Sequence, residues 1–247
     1  MNKIDKTIGY AQWSFNPMTG CQNTCSYCYA RRIAERFRAK NPGYLEQRDG
    51  IWLARGKEIF PRGFEPTYYT HRWKEPMALK KPSIIFAGDM CDMWGPWVPE
   101  WAKVVLYSTA EMCRDDGHVF LTLTKYPENY PSQWPANIWP GVTLTTGEQV
   151  ISGRMRDVRA VVKWVSLEPL MAEIPLSLLE PFDWVIVGAQ TGPKRVRVQR
   201  KWLEDIGMWC LRHNVPLYMK SSLCAVWGGP LIQQWPVGAP GRGTTTD

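Results

Sequence analysis

Short apolar runs alternate with longer amphipathic stretches along most of the chain. From residue 83 onwards each run ends in polar residues or turn formers, and a stretch with helical spacing usually follows it. Strongly apolar runs favour strands buried on both faces, and strands separated by helices favour a parallel sheet. The predicted strands are 83–90, 118–125, 137–146, 163–170, 184–192 and 215–222. The predicted helices are 98–113, 147–160, 174–182 and 200–214.

A further strand and helix are predicted near the N-terminus. Residues 8–13 predict a strand that ends in a turn-rich segment, and residues 29–40 show helical spacing. Ile33, Ala34 and Phe37 are expected on one side of this helix, opposite its Arg and Lys residues. The alternation of strands and helices predicts an α/β fold. The number of predicted strands favours an incomplete TIM-type (βα) barrel of about six to seven parallel strands over a flat doubly wound sheet.

The chain is predicted to form a single domain with a tail. The domain covers residues 1–227, and the Pro- and Gly-rich tail, 228–247, is expected to lie over the surface or to be partly disordered. Residues 41–82 form a long connection rich in Pro, Gly and aromatic residues, which is typical of an insertion or lid. Its residues 71–73 (His-Arg-Trp) could contact a substrate phosphate or base, or could pack the insertion against the barrel.

Composition indicates a globular protein. Hydrophobic residues make up 45% of the 247 residues, and no apolar run approaches the roughly 20 residues that cross a bilayer. The first residues lack the apolar core of a signal peptide, so we expect a cytoplasmic protein with no membrane partner. In a reducing compartment the seven cysteines favour metal binding and free thiols over disulfides.

The charge and the aromatic content are compatible with a nucleic-acid partner. The formal net charge is +7, and the chain has fourteen Trp and ten Tyr residues. Basic surface with aromatic faces suits phosphate contacts and base stacking, so nucleic acid or a nucleotide is an expected partner. Mild basicity with tryptophans in the core is the alternative. The basic run within residues 195–201 is the candidate nucleic-acid track, or else a solvated face.

Three cysteines close together carry the most specific chemical signal. Cys21, Cys25 and Cys28 have the spacing C-x3-C-x2-C, and Tyr27 and Tyr29 flank the last of them. Thiolates are soft ligands for zinc or iron–sulfur clusters. Structural zinc sites normally have four protein ligands, so three in one loop favour a cluster with one open iron. A zinc site completed by a distant Cys or His, and a chance cluster of structural cysteines, remain alternatives.

This spacing, with an aromatic residue before the last cysteine, resembles the signature of radical S-adenosylmethionine (SAM) enzymes. The resemblance implies that Cys21, Cys25 and Cys28 hold a 4Fe–4S cluster whose fourth iron binds SAM. It implies an external one-electron reductant of the flavodoxin or ferredoxin type. It also implies that SAM cleavage yields a 5′-deoxyadenosyl radical, which abstracts hydrogen from a substrate. The cofactors supply this chemistry, and the protein orients them.

A closer resemblance covers roughly residues 10–222. The chain is similar to a radical SAM-like family of phages and bacteria that opens with W-N-P-x-T-G-C, and that family is distantly similar to spore photoproduct lyase, which repairs a thymine lesion in DNA. One departure is Phe15, where relatives carry Trp. The matching stretches are FNPMTGC, FAGDMCD, TLTKYPENY, IWPGVTL, VSLEPL, DWVIVGAQTG and VPLYMKSS.

The resemblance also implies cofactor-binding residues. Tyr27 would pack near the adenine of SAM, and Asp89, Thr145 and Glu168 follow strands where such barrels contact SAM. Gln190 is a further candidate, although relatives often carry a carboxylate at this position in G-G-E-S-G. The neutral amide of Gln190 would remove an ionic contact or a base.

Two strand-end residues are candidates for catalysis. Cys91 could donate hydrogen, as a cysteine does in spore photoproduct lyase, or could be a free structural thiol. Lys220 could bind a phosphate or the SAM carboxylate, donate a proton, or be a surface lysine. Polar residues that follow parallel strands converge at one end of a barrel, so both are expected near the cysteines. Cys113, Cys210 and Cys224 are expected to be core or surface thiols.

Two functions therefore remain open. The first is a radical SAM enzyme that modifies or repairs nucleic acid, a nucleotide or another phosphate-bearing substrate. The second is a non-catalytic protein that a zinc ion or a cluster stabilises and that binds nucleic acid. The two differ at the fourth coordination position, which SAM fills in the first case and a protein side chain fills in the second.

Overall fold

The chain forms two sheets connected by helices. The computed structural model describes residues 1–147, 152–192 and 195–242. Its strands are β1 (Asn2–Lys3), β2 (Trp13–Phe15), β3 (Met18–Thr19), β4 (Leu45–Arg48), β5 (Ile51–Ala54), β6 (Thr67–Tyr69), β7 (Ile84–Ala87), β8 (Val119–Thr124), β9 (Ile138–Thr143), β10 (Trp164–Leu167), β11 (Trp184–Val187) and β12 (Leu217–Met219).

The helices are short, apart from two on the outside of the larger sheet. The α-helices are α1 (Tyr29–Arg36), α2 (Glu100–Met112), α3 (Ser152–Asp157), α4 (Arg200–His213) and α5 (Cys224–Trp227). The 3-10 helices are Arg72–Ala78, Pro127–Asn129, Leu176–Leu179 and Ser221–Leu223. Among the described residues, no helix combines the length and the apolar character that a membrane span requires.

The larger sheet is a half-barrel. Its strand order in the described residues is β1-β2-β7-β8-β9-β10-β11-β12. The strands from β2 onwards in this order pair in parallel, and only β1 is antiparallel to its neighbour. The predicted α/β fold with an incomplete TIM-type barrel is therefore confirmed. Each observed strand from β7 to β12 lies within the range predicted for it from the sequence.

The two faces of the half-barrel bury different residues. Ile85, Phe120 and Val165 face outwards and belong to a core shared with Leu106 of α2 and Leu203 of α4. The inner face carries large aromatic side chains, which form the floor of the barrel. They are Tyr10, Phe86, Trp139, Trp164, Trp184 and Tyr218. Alternation along each strand separates the two sets.

The N-terminal prediction was wrong in its boundaries. The Ile4 carbonyl accepts the backbone N–H groups of Thr7, Ile8 and Gly9, so this segment turns, and the strand begins only at Trp13. α1 ends at Arg36 rather than at residue 40. The predicted apolar side of this helix was also wrong, since Ala34 is buried but Ile33 and Phe37 are exposed.

The long connection supplies most of a second sheet, and β3, which precedes the connection in the chain, completes it. Within the described residues, β3, β6, β5 and β4 pair in this order. The following 3-10 helix places Arg72 against the barrel, where its guanidinium lies 3.5 Å from the centre of the Tyr69 ring and donates to the Asn16 carbonyl at 3.2 Å. Arg72 therefore packs the insertion against the barrel. The role of the insertion as a lid stays a prediction.

The C-terminal segment, residues 228–242, connects the two edges of the half-barrel. The Met219 N–H donates to the Ile232 carbonyl at 2.7 Å, so the segment runs beside β12. Further on, Trp235 Nε1 donates to the Tyr10 carbonyl at 3.1 Å, and Trp235 packs into the aromatic floor. Residues 243–247 of the predicted tail lie outside the described residues, as do residues 148–151 of the predicted helix 147–160.

Candidate functional site

A cavity of about 1150 Å³ opens at the carboxyl ends of the parallel strands. The segment from Cys21 to Cys28, called the cysteine loop below, forms part of its wall. The strand-end residues that line it are Asp89, Asp92, Thr124, Lys125, Thr143, Ser166, Glu168, Gln190 and Lys220. These residues are far apart in the sequence and share the cavity because parallel strands end at one edge of a barrel.

The cysteine loop starts and ends at fixed points. Gly20, just before it, has φ +88°, and a Cβ there would lie 2.3 Å from the Glu65 carbonyl oxygen. The Gly20 N–H donates to the Met90 carbonyl at 3.0 Å, which connects the loop to the end of β7. At the other end, Cys28 is the N-cap of α1, and its Sγ accepts the backbone N–H of Arg31 at 3.3 Å.

Two side chains hold the middle of the loop. Arg31 Nη2 donates to the Asn23 carbonyl at 2.8 Å and to the Cys21 carbonyl at 3.3 Å. The same guanidinium lies 4.8 Å from the centre of the Phe64 ring. From the opposite side, Tyr126 Oη donates to Asn23 Oδ1 at 2.5 Å. The loop is therefore supported by α1, by the insertion and by the connection after β8.

The three thiols of the loop lie on one wall of the cavity. Cys21 is buried, and Cys25 and Cys28 are partly exposed. Burial raises the pKa of Cys21 to about 12, while the Asn23 N–H, 3.4 Å from its Sγ, opposes this shift. A metal would therefore have to displace the proton of this thiol.

The donor set fits an iron–sulfur cluster in its chemistry. Three thiols share the wall, and the sulfurs of Cys21 and Cys28 accept backbone N–H groups, which tune such clusters. As placed, no three His, Cys, Asp or Glu side chains in the described ranges are close enough to hold a metal. Cluster binding would have to draw the three sulfurs together from their positions on one wall.

Cys91 lies beside the cysteine loop. Gly20 and Cys91 form an isolated parallel bridge, and a Cβ at Gly88 would lie 3.2 Å from Cys91 Sγ. Burial raises the pKa of Cys91 well above its ordinary value, and the nearby Cys21 adds to this shift. A fourth thiol thus lines the same cavity. The remaining cysteines are the buried Cys113 and Cys210 and the exposed Cys224.

Asp89 lies in a hydrogen-bonded corner of the cavity. Asn16 Nδ2 donates to Asp89 Oδ1, and Asn16 Oδ1 accepts the Met90 N–H at 3.0 Å. Tyr29 Oη donates to the Asp89 carbonyl at 2.9 Å. Burial raises the pKa of Asp89 to about 6, and the bond from Asn16 opposes this shift. The side chain is held in place and faces the cavity.

Glu168 and Lys220 form an ion pair on another part of the wall. Lys220 Nζ donates to Glu168 Oε1, and it lies 5.8 Å from the centre of the Tyr10 ring. A Cβ at Gly188 would lie 3.2 Å from both side chains, so this glycine leaves space for the pair. The pair offers a cation and an anion to a ligand with both charges.

Tyr27 bridges the cysteine loop and the end of β9. Its phenol interacts with Cys25 and with Thr145, and Lys125 Nζ lies 5.6 Å from the centre of its ring. Burial lowers the pKa of Lys125 and raises that of Tyr27. Thr145, two residues beyond β9, is buried next to Tyr27, whereas Thr143, the last residue of β9, lines the cavity.

The side chain of Gln190 stabilises the loop that follows β11. Gln190 lines the cavity, and its Oε1 accepts the Val196 N–H at 3.1 Å. In the basic run that follows, Arg200 pairs with Glu204 at 2.8 Å and Lys201 pairs with Asp205 at 3.0 Å. These helical ion pairs reduce the charge that this run offers to a polyanion.

Sequence reasoning missed three supporting residues. Asn16, Arg31 and Tyr126 order Asp89 or the cysteine loop through the contacts described above. Arg31 could have been found, because side chains in the first turn of a helix lean back towards the segment before it. The partners of Asn16 and Tyr126 are remote in sequence and give no local signal.

Comparisons with known proteins give a family and a fold. A family model described as "Protein of unknown function (DUF5131)" matches residues 5–232. A comparison with curated protein sequences found no match.

Solved structures of spore photoproduct lyase resemble this fold. A mutant with bound AdoMet and dinucleoside spore photoproduct has a TM-score of 0.51 at 12% identity, over 85% of this chain and 76% of that chain. A second mutant has a TM-score of 0.52 at 10% identity, over 89% and 78%. The lyase complexed with dinucleoside spore photoproduct has a TM-score of 0.50 at 11% identity, over 87% and 79%. At these identities the likeness shows the fold alone.

Proposed function

The chain belongs to the DUF5131 family of proteins of unknown function, and we propose that it is a radical SAM enzyme that acts on nucleic acid or a nucleotide. One observation carries this proposal. The three thiols of a C-x3-C-x2-C loop line the cavity at the carboxyl ends of a parallel half-barrel, together with polar strand-end residues. The half-barrel fold shared with spore photoproduct lyase supports it.

The cysteine loop would hold a 4Fe–4S cluster through Cys21, Cys25 and Cys28. When bound and reduced by an external one-electron carrier, the cluster would supply the electron that cleaves SAM to methionine and a 5′-deoxyadenosyl radical. The chain's own contribution is to position the loop. Arg31 and Tyr126 fix its backbone, and the N–H groups that point at the sulfurs stabilise negative charge there.

SAM carries a carboxylate, an ammonium group, a sulfonium and an adenine, and the wall of the cavity offers partners for each kind of group. Asp89 and the Glu168–Lys220 pair provide two anions and a cation. Tyr27 presents an aromatic ring beside the loop. Gln190 is occupied by the Val196 N–H and is better suited to shaping the wall than to binding charge.

Cys91 is the proposed hydrogen donor to a substrate radical. It lines the cavity beside the loop, and burial keeps its thiol protonated at neutral pH, which is the form that can donate a hydrogen atom. Lys220 stays a candidate for binding a phosphate or carboxylate, since its ion pair with Glu168 leaves other N–H donors available.

The test is anaerobic reconstitution with iron and sulfide, followed by reduction and addition of SAM. The expected result is about four irons per chain, an EPR signal of the reduced cluster that SAM changes, and release of 5′-deoxyadenosine. Cys25→Ala should lose the iron and the product while it keeps the circular dichroism of the parent. Cys224→Ala, which removes an exposed thiol elsewhere, is the matched control. Product formation by Cys25→Ala at the parental rate would refute the proposal.

A structural zinc site is the second candidate, and the position of Cys91 favours it. Zinc prefers four protein ligands, and Cys91 is a fourth thiol beside the loop. Cys91→Ser separates the two functions. In the enzyme, this variant should keep its iron and the effect of SAM on its EPR signal. In a zinc protein, it should bind zinc more weakly and should melt at a lower temperature than the parent.

A further inference from the structure

The exposed side of α1 borders the cavity and carries an unusual set of residues. Tyr29, Ile33 and Phe37 lie one helical turn apart, and 43%, 39% and 57% of their respective surfaces are exposed. Ile59 of the insertion, 58% exposed, extends this apolar surface. All four residues line the cavity. We call them the mouth stripe. It follows α1 for about 12 Å, at 1.5 Å per residue.

Two arginines accompany the mouth stripe. Arg36 lies 5.3 Å from the centre of the Phe37 ring, and Arg32 reaches the loop after β11, since a Cβ at Gly192 would lie 2.8 Å from its Nη1. In the described part of the chain, the neighbouring cation Arg38 pairs with Glu35, whereas Arg32 and Arg36 pair with no carboxylate. The mouth stripe and the two arginines thus place exposed apolar side chains next to uncompensated positive charge.

We infer that the mouth stripe is a binding surface for single-stranded nucleic acid, which it guides into the cavity. Aromatic faces that stack bases, beside cations that contact phosphates, are the combination that binds single strands. The net charge of +7 favours an anionic partner such as a nucleic acid over a neutral one. A paired duplex presents no free base face to Phe37, so it should bind more weakly. The inference rests on the proposed function only for the assumption that the substrate enters the cavity here.

This surface differs from the basic run expected from the sequence. Arg200 and Lys201 pair with carboxylates of their own helix. The exposed Arg195 and Arg197 follow Gly192 in the loop against which Arg32 lies, so they are placed to extend the surface. The apolar contribution comes from α1 and the insertion, and not from the basic run.

The test is fluorescence anisotropy of a labelled oligothymidylate, its RNA counterpart and a duplex of the same length, with the purified full chain and without SAM. The parent should bind the single strands more tightly than the duplex. Arg32→Gln combined with Arg36→Gln should make the negative slope of log binding constant against log salt concentration shallower by about 1.4, since each single-strand phosphate contact contributes about 0.7. Phe37→Ala should weaken binding roughly 5- to 150-fold. Arg32→Lys with Arg36→Lys should keep the slope.

The matched control is Lys80→Gln combined with Lys81→Gln. These exposed lysines precede β7, at the opposite end of the strand from the cavity, and their removal changes the net charge equally. The control should bind like the parent. The inference is overturned if the control loses as much affinity as the α1 variant, if the duplex binds as tightly as the single strand, or if no nucleic acid binds. Competition by poly-glutamate but not by oligonucleotide would likewise overturn it in favour of an acidic protein partner.

Binding and SAM cleavage are measured separately. A chain that binds single strands through α1 but makes no 5′-deoxyadenosine would refute the proposed enzyme and leave the binding surface standing. A chain that makes 5′-deoxyadenosine but binds no nucleic acid would refute the surface and leave the SAM chemistry standing.

Discussion

Replacing Arg31 by methionine should loosen the cysteine loop without unfolding the barrel. Methionine keeps the unbranched apolar stem of the side chain and removes every hydrogen-bond donor. The variant loses the bonds to the Asn23 carbonyl at 2.8 Å and the Cys21 carbonyl at 3.3 Å, and it loses the contact with the Phe64 ring at 4.8 Å. These contacts hold the loop and not the sheet, so the effect should be local.

The magnitude follows from the geometry. A hydrogen bond from a charged donor contributes about 1.5–3 kcal/mol when it is well formed, and Arg31 is only partly buried, so the lower end applies to the bond to Asn23. The longer bond adds about 0.5 kcal/mol, and the ring contact adds about 0.5–1 kcal/mol. The total of about 2.5–3 kcal/mol corresponds to an increase of roughly 70- to 150-fold in the equilibrium constant for local opening.

Amide hydrogen exchange of a peptide that covers the cysteine loop measures this opening. The backbone N–H groups of Asn23 and Cys28 bond within the loop and should report it. Arg32→Met, one residue further along the same helix, is the control and should exchange like the parent, because Arg32 makes no contact with the loop backbone among the described residues. Equal exchange rates in Arg31→Met and Arg32→Met would show that the guanidinium does not hold the loop.

Two further predictions concern the stability of the fold. Gly141→Ala should lower the free energy of unfolding, measured in urea, by about 1–3 kcal/mol, because the added Cβ would lie 2.3 Å from the Trp164 indole. The control is Gly153→Ala, whose Cβ meets no atom within 4 Å and which should leave the free energy of unfolding unchanged. Burial lowers the pKa of His118 below its ordinary 6.5, so the unfolded chain binds the proton more tightly than the folded chain. The contribution of His118 to the free energy of unfolding should therefore fall as the pH drops below about 6.5. His118→Gln removes this contribution, so below that pH the free energy of unfolding should fall less in the variant than in the parent. An equal change in both proteins would contradict the attribution to His118.

The half-barrel and the cysteine loop could be predicted from the sequence because their signals are local. A strand buried on both faces requires a run of apolar residues, and such a run is visible at Trp184–Val187 without knowledge of its neighbours. Cys21, Cys25 and Cys28 belong to a single loop in any fold, so placing them in the same region needed no tertiary information. The alternation of strands and helices then placed the strand-end residues at one edge.

The orientation of α1 could not be predicted in this way. Periodicity shows that Ile33 and Phe37 share a side of the helix, but it does not show which side faces the core. The tertiary structure buries Ala30 and Ala34 against the insertion, in a cluster with Phe60 and Phe64, and leaves the larger residues at the cavity. A residue's size and polarity are local properties, while the space available to it depends on segments elsewhere in the chain.

Contacts between distant segments decided the rest. Trp235 and Tyr10 are separated by 225 positions and share a hydrogen bond, and Tyr126 reaches Asn23 across 103 positions. The sequence by itself determined the parallel strands from residue 83 onwards, the half-barrel and the three thiols of the cysteine loop. Only the tertiary structure decided which side chains support the cysteine loop, which cations stay unpaired and how the C-terminal segment packs. These features depend on which surfaces pack together when the chain folds, and short-range sequence patterns do not contain that information.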